Sequence, residues 1–180
     1  YLIRISNRKL IQGLLEDLKI TSISKKLTVI RAADKMDRVG IAGVKALLSK
    51  GRKDKSGDFT KGADLKEDQS EKIINFLTTD NFSKIVSLSS NSTFKEGIDE
   101  LNKIFVLTKL SQFSDRIMFS PSIVRGIEYY TGAIFEANLF FKVKNKKGEE
   151  VEFGSVGGGG RYDDLIARFT QSTYPATGIS

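Results

Sequence analysis

Residues 1–6 place Tyr1, Ile3 and Ile5 on one side and Leu2, Arg4 and Ser6 on the other, the period-two pattern of a half-buried strand. Asn7 can cap a helix over residues 7–18, where Leu10, Leu14, Leu15 and Leu18 recur at helical spacing. Residues 27–38 suit a second helix ended by Gly40, and residues 41–50 a third ended by Gly51. Residues 51–64 read as a polar loop with three glycines. Residues 67–77 carry the stripe Ile73, Ile74 and Leu77 and are expected to be helical. The longest helix expected covers residues 93–109, with Phe94, Ile98, Leu101 and Phe105 inward. Ser92 is its candidate cap, with Lys95 at the third position in place of Glu, so the capping box is incomplete.

From Arg116 onward the period changes. Residues 116–125 are rich in strand formers, interrupted at Pro121, and residues 133–144 and 149–156 are two further strands. The short polar turn over residues 145–148 makes these two an antiparallel hairpin. Four glycines, Gly157–Gly160, then lead into a helix over residues 162–168. One strand, a block of helices and a meander of strands is an α+β order, not an alternating βαβ one. The helical block, residues 19–113, looks inserted between strands of one sheet. The expected division is residues 1–18 with 114–180 as one unit and residues 19–113 as a helical insertion domain.

Composition narrows the chemistry. The 180 residues are 39% hydrophobic and 28% charged, the balance of a globular protein with a real core. No apolar run approaches the roughly 18 residues of a helical membrane span, so no membrane partner is expected. Cysteine and histidine are both absent, which removes disulfides, thiolate zinc sites, histidine-ligated metals and any Ser-His-Asp triad; no protein-ligated metal is expected. Carboxylates, Lys, Arg, Tyr and bound cofactors remain. The net charge of +7 favours a polyanionic partner, although solvated lysines alone account for it equally well. The chain opens inside a strand and stops after a turn, so it is expected to be an internal piece of a longer one.

Two segments concentrate candidate chemistry. The run Gly157, Gly158, Gly159 and Gly160 costs backbone entropy, so something should need the missing side chains. Close approach of a ligand is one use; a sharp turn or bulge at a strand end is the other. No Lys-Ser or Lys-Thr follows it, and the preceding strand belongs to an antiparallel hairpin, so neither a P-loop nor a dinucleotide fingerprint fits. The second segment, Val124-Arg125-Gly126-Ile127-Glu128-Tyr129-Tyr130-Thr131-Gly132, offers a cation for carboxylate or phosphate and two phenols for a polar ring. Its bland reading is a strand with Tyr129 packed inward and Arg125 in a surface ion pair. A third segment, residues 52–61, interleaves Arg52, Lys53, Lys55 and Lys61 with Asp54 and Asp58. A calcium loop is rejected there, because the glycine is misplaced and Leu65 stands where the bidentate Glu belongs. A nucleic-acid backbone contact and a solvated loop both stay open.

At these motifs the chain resembles a known family. VRGIEYYTGAIFEA resembles the histidine-binding signature of histidyl-tRNA synthetases, and GSVGGGGRYDDL is similar to the family's second signature. PATGIS resembles the approach to the third class II motif, YLIRISNRKLIQGLLE the strand and helix that follow the second, and RAADKMDRVGIAGV with GRKDKSGDFTKGA the bacterial form of the insertion. Glu128 stands where the family's Asp is usual and Ile127 replaces Leu.

The resemblance implies a class II synthetase antiparallel sheet flanked by helices. It implies a parent that activates L-histidine with ATP and Mg2+ to histidyl-adenylate and charges tRNA(His). It also implies a cytoplasmic homodimer. Carried over by motif, Arg125 is the expected catalytic residue, touching the α-phosphate and the histidine carboxylate. Tyr129 and Tyr130 would wall the imidazole, Tyr162 would line the pocket, and Gly157, Gly158 and Gly159 would lie against the substrate. Lys53, Lys55 and Lys61 would touch tRNA phosphates. The first class II motif, the arginines of the second and third, and the anticodon-binding domain are not in these residues, so the chain alone is expected to be inactive. A histidine-sensing regulatory paralogue of the synthetase is the alternative reading, and an RNA-contacting insertion module is another.

Overall fold

A computed structural model describes every residue except Lys55, Ile127, Glu128 and Gln171, with Glu152 described through its backbone. Strand β1 (Leu2–Asn7) starts the chain and leads without a loop into helix α1 (Arg8–Asp17). Asn7 is the N-cap: its side chain accepts the Lys9 N–H at 2.9 Å, satisfying one of the helix's open donors. Helix α2 (Ile23–Ala33) is capped by Ser22, and α3 (Met36–Leu48) follows after a turn at Asp34 and Lys35. The expected second helix over residues 27–38 therefore starts earlier and breaks sooner than its apolar spacing suggests. Gly40, expected as a helix end, is a kink inside α3 with φ of +66°.

The expected polar loop over residues 51–64 contains a hairpin of β2 (Gly51–Lys53) and β3 (Phe59–Lys61). Of its six paired residues only Phe59 is apolar, so no apolar alternation announces it. Asp54 closes the turn, its Oδ1 accepting from the Ser56 N–H and hydroxyl and the Asp58 N–H. Those donors, the Ser56 hydroxyl foremost, hold the Asp54 carboxyl below the usual carboxylate range. After the hairpin, the N–H groups of Ala63 and Leu65 donate to the carbonyls of Leu47 and Leu48, covering the open end of α3. Helices α4 (Glu67–Thr78), α5 (Phe82–Val86) and α6 (Ser92–Lys109) complete the block. The cap of α6 is Asn91, which accepts the Phe94 N–H at 3.2 Å; Ser92 is the first helical residue and not the cap.

A short 3-10 turn, Ser114–Arg116, returns the chain to the sheet. The remaining elements are β4 (Ile117–Phe119), β5 (Ala133–Lys144), β6 (Glu150–Arg161), α7 (Asp163–Thr170) and β7 (Thr177–Ile179). The sheet order is β4-β1-β5-β6-β7, antiparallel except where β1 and β4 run parallel. Ile5 of the sheet and Leu10, Leu14, Phe94 and Leu101 of α1 and α6 belong to one buried cluster, which continues through α2, α3 and α4. Helix α6 lies against α1 and β1, so the helical block returns to the sheet before the strand meander begins. Alternate positions of β5 point the other way: Ile134, Glu136 and Asn138 are buried, and Arg4 of β1 pairs with Glu136 in register. Among the described residues no helix is long and apolar enough to cross a membrane.

Candidate functional site

The turn that carries the phenols is set by Gly126. Its φ of +70° is a left-handed conformation, and a Cβ there would fall inside the Tyr130 ring. Its carbonyl accepts the N–H groups of both Tyr129 (3.3 Å) and Tyr130 (3.1 Å). The two rings stand 4.4 Å apart, tilted by 57°. Burial pushes the Tyr130 phenol up to about 12, and a hydrogen bond with the Tyr129 phenol adds to the rise. At neutral pH the Tyr130 hydroxyl keeps its proton.

The glycine run, expected to follow a strand ending at residue 156, is itself the last part of strand β6. Gly157 to Gly160 pair with β5, Gly158 opposite Glu136 and Gly160 opposite Ile134. The four are not equivalent. A Cβ on Gly159 would strike the Gly178 carbonyl oxygen of β7, and one on Gly160 would sit 2.6 Å from the Ala133 carbonyl and 2.9 Å from the Tyr130 ring. These two make room for strands and a ring. A Cβ on Gly158 would meet nothing closer than 3.4 Å, an ordinary contact, on the face it shares with Glu136; one on Gly157, which pairs with Ala137 on the opposite face, would sit a tight 3.3 Å from the Ser180 carbonyl.

Beside Gly158 lies a hollow of about 260 Å3. Arg125, Tyr129, Tyr130, Glu136 and the backbone of Gly157–Gly159 line it, with Ile123, Ser155 and Ser180 at its edges. Arg125, Tyr129, Tyr130, Gly157, Gly158 and Gly159 are thereby brought together. Tyr162 is not among the lining residues; its ring is 6.5 Å from that of Tyr130, and its phenol lies over Gly178, where a side chain would collide with it. Glu128 lies outside the described residues.

Arg125 is half exposed and meets two carboxylates, both through Nε: Glu136 Oε2 at 3.0 Å and Asp34 Oδ1 at 4.0 Å. Glu136 is 4% exposed, and its second oxygen accepts from Asn138 Nδ2 at 3.1 Å. Glu136 and Asp34 were not singled out from the sequence. For Glu136 a signal existed: a charge inside the apolar strand Ile134-Phe135-Glu136-Ala137 cannot be buried without a partner. Asp34 sits on the α2–α3 turn, far off in sequence, and nothing local points to it.

Asp163, in the same motif as Tyr162, ties the far edge. It accepts from Arg161 Nε at 2.7 Å and from the Ala176 N–H at 2.9 Å. Burial works to raise its carboxyl, but the Ala176 N–H and the Arg161 guanidinium outweigh it and hold the group below the usual carboxylate range.

A wider, more open hollow of about 630 Å3 lies among Lys25, Thr28, Lys50, Lys61 and Asp64. Lys50 already pairs with Asp64 at 2.9 Å, and Lys25 donates to the Asp64 carbonyl at 3.3 Å. Its lining is polar as well but holds no aromatic ring and no apolar wall beyond Ala63, so size does not make it the better candidate for a small ligand. Lys53 and Lys61 lie on one face of the β2–β3 hairpin, at alternate ladder positions, and neither lines the smaller hollow; Lys55 lies outside the described residues. Among the described residues no three metal-ligating side chains converge.

Comparison with known proteins agrees along the whole chain. The model of the family described as histidyl-tRNA synthetase matches residues 2–180. The chain is 47% identical over 192 residues to a histidine–tRNA ligase of Bartonella bacilliformis and 48% identical over 189 residues to one of Rhizobium meliloti. Each alignment covers all of this chain and 38% of the relative. Among solved structures, a histidyl-tRNA synthetase from Nostoc superposes with a TM-score of 0.76 at 26% identity, over 99% of this chain and 39% of that one. An ATP phosphoribosyltransferase regulatory subunit/histidyl-tRNA synthetase from Bacillus halodurans shares the fold, with a TM-score of 0.71 at 19% identity over 99% of this chain and 41% of that one.

Proposed function

The chain belongs to the histidyl-tRNA synthetase family, and we propose that its 260 Å3 hollow is the histidine pocket of a histidine–tRNA ligase. The chain spans 38% of the curated relatives it matches, so the activity is that of the longer protein. In that protein a histidine carboxylate oxygen attacks the α-phosphorus of ATP, the bond to the leaving pyrophosphate breaks, and histidyl-adenylate forms. A terminal hydroxyl of tRNA(His) then attacks the acyl carbon and AMP leaves. Mg2+ enters with ATP as part of that substrate. The parent is a cytoplasmic homodimer in this reading, and the 180-residue chain alone does not make the adenylate.

One observation carries the proposal: a guanidinium, two adjacent phenols and bare strand backbone line the same small hollow. Arg125 is the catalytic residue, its terminal nitrogens taking the carboxylate and then the α-phosphate oxygens, where charge grows as pyrophosphate departs. Tyr129 and Tyr130 offer hydroxyls and ring faces to the imidazole; a site built for polar contacts rejects apolar analogues, which would leave those groups unpaired. Gly157, Gly158 and Gly159 admit the substrate against the sheet. Tyr162 supports the pocket from behind. Residues 19–113 are the family's insertion in this reading, and Lys53, Lys55 and Lys61 contact tRNA phosphates. A histidine-sensing regulatory relative has weaker support, because its neighbour of that description shares 19% identity and the curated ligases 47–48%.

The test is histidine-dependent ATP–pyrophosphate exchange by the full-length protein. Arg125→Ala should lower kcat by about 10²–10³-fold with little change in ATP affinity. A variant altered only in its KM for histidine would overturn the role of Arg125.

A further inference from the structure

Arg125 is half exposed and sits on a segment outside the regular ladder, so its packing alone does not fix its guanidinium. Glu136 does the opposite: it is buried in the middle of β5, and strand pairing on both sides sets its position. The contact between them, 3.0 Å, uses Arg125 Nε and one carboxylate oxygen. The other oxygen is taken by Asn138 Nδ2 at 3.1 Å. Asn138 is buried too, and its own Oδ1 finds no partner among the described residues. An amide that leaves one oxygen unsatisfied while donating to a carboxylate is spent on holding that carboxylate. Asp34 stands 4.0 Å from the same Nε, too far for a hydrogen bond.

We propose that Glu136 is a positioning residue for Arg125: anchored by Asn138, it holds the guanidinium through Nε and so leaves both terminal nitrogens for an anion in the hollow. The geometry suits this better than direct contact with a substrate cation, because one carboxylate oxygen accepts from Asn138 and the other already forms an ion pair with Arg125. An arginine whose Nε side is held by an ion pair can turn its two NH2 groups toward an anion, the arrangement that matches a carboxylate or phosphate bidentately. The inference rests on the reading of the hollow as a histidine pocket.

The experiment compares the full-length protein with R125A, E136Q, D34N and R125A/E136Q in the exchange assay, with thermal melts confirming folding. E136Q should lose about 10–100-fold in kcat, the usual cost of losing a partner that orients a functional group, with both KM values within about 3-fold. In the R125A background it should cost less than about 3-fold, because there is no guanidinium left to aim. D34N should stay within about 2-fold of the parent. Added guanidinium ion should partly rescue R125A and fail to rescue the double variant, a readout that survives if E136Q alone folds poorly. Equal factors in both backgrounds, a change confined to the KM for histidine, or a D34N loss matching that of E136Q would overturn the inference. An R125A protein with undiminished exchange would instead overturn the histidine-pocket reading itself.

Discussion

The ring of Tyr130 occupies the space where Gly126 would carry a side chain, while the Tyr130 N–H donates to the Gly126 carbonyl at 3.1 Å. The two residues form one unit, a left-handed glycine and the phenol folded back over it. Gly126→Ala must pay for a positive φ and move the ring as well, so it should destabilise the full-length protein by about 1–3 kcal/mol. It should also weaken histidine binding. A melting temperature and histidine Kd both unchanged would contradict this account.

The four consecutive glycines of β6, Gly157–Gly160, should not behave alike. Gly159→Ala and Gly160→Ala meet backbone atoms that cannot yield and should lower the melting temperature by several degrees, on the order of 1–3 kcal/mol of overpacking. Gly158→Ala, on the face that carries Glu136, meets nothing closer than 3.4 Å, so it should leave stability nearly intact while reducing histidine affinity; Gly157→Ala, 3.3 Å from the Ser180 carbonyl on the opposite face, should show a small thermal loss and little change in affinity. Equal thermal losses at all four positions would remove the distinction between strand packing and ligand approach.

Tyr130 should ionise near 12, not at the ordinary value near 10. Because the folded value is the higher one, the unfolded chain loses its proton first as pH rises. The contribution of the neutral phenol to stability is therefore complete below about pH 10 and is lost between there and 12. Absorbance titration of the full-length protein against Tyr130→Phe should show one phenol missing from the rise up to pH 11. A difference spectrum that titrates at 10 would place Tyr130 in solvent.

Asp163 has the opposite sign. Its folded value lies below the ordinary carboxylate value, so its contribution is present above about pH 4 and disappears as pH falls through the lower folded value. Asp163→Asn keeps the shape but weakens the hold on Ala176 and Arg161. It should cost about 1–2 kcal/mol at pH 7 and speed amide exchange in β7. Unchanged exchange in Thr177–Ile179 would show that β7 is held by its ladder alone.

Neutralising Lys53, Lys55 and Lys61 together should reduce the slope of log affinity for tRNA against log salt by about 2 to 3, one phosphate for each lysine. An unaltered slope would remove these residues from the RNA interface.

Most helices and strands of the fold are legible from periodicity alone. Leu10, Leu14, Leu15 and Leu18 announce α1, and the alternation of residues 133–144 announces β5, because core-facing positions must recur at the period of the element. Short elements without apolar alternation are not legible: the polar hairpin β2–β3, the five-residue α5 and the three-residue edge strand β7. The cap of α6 was misplaced by one residue, since Asn91 and Ser92 are both good caps and only backbone geometry chooses between them.

The residue types of the site, an arginine, two tyrosines and a glycine run, stand in two local motifs and are set by sequence alone, as is the absence of histidine and cysteine chemistry. What surrounds Arg125 was decided by the fold. Glu136 becomes its partner because β5 buries alternate residues on one face, and Asp34 approaches because the chain turns between α2 and α3. The glycines likewise divide into packing and open positions only once β5, β6 and β7 are paired. Local pattern specifies which groups a strand or turn carries; which of them meet depends on register and on contacts between residues distant in the chain, and those follow from the packing of the whole molecule.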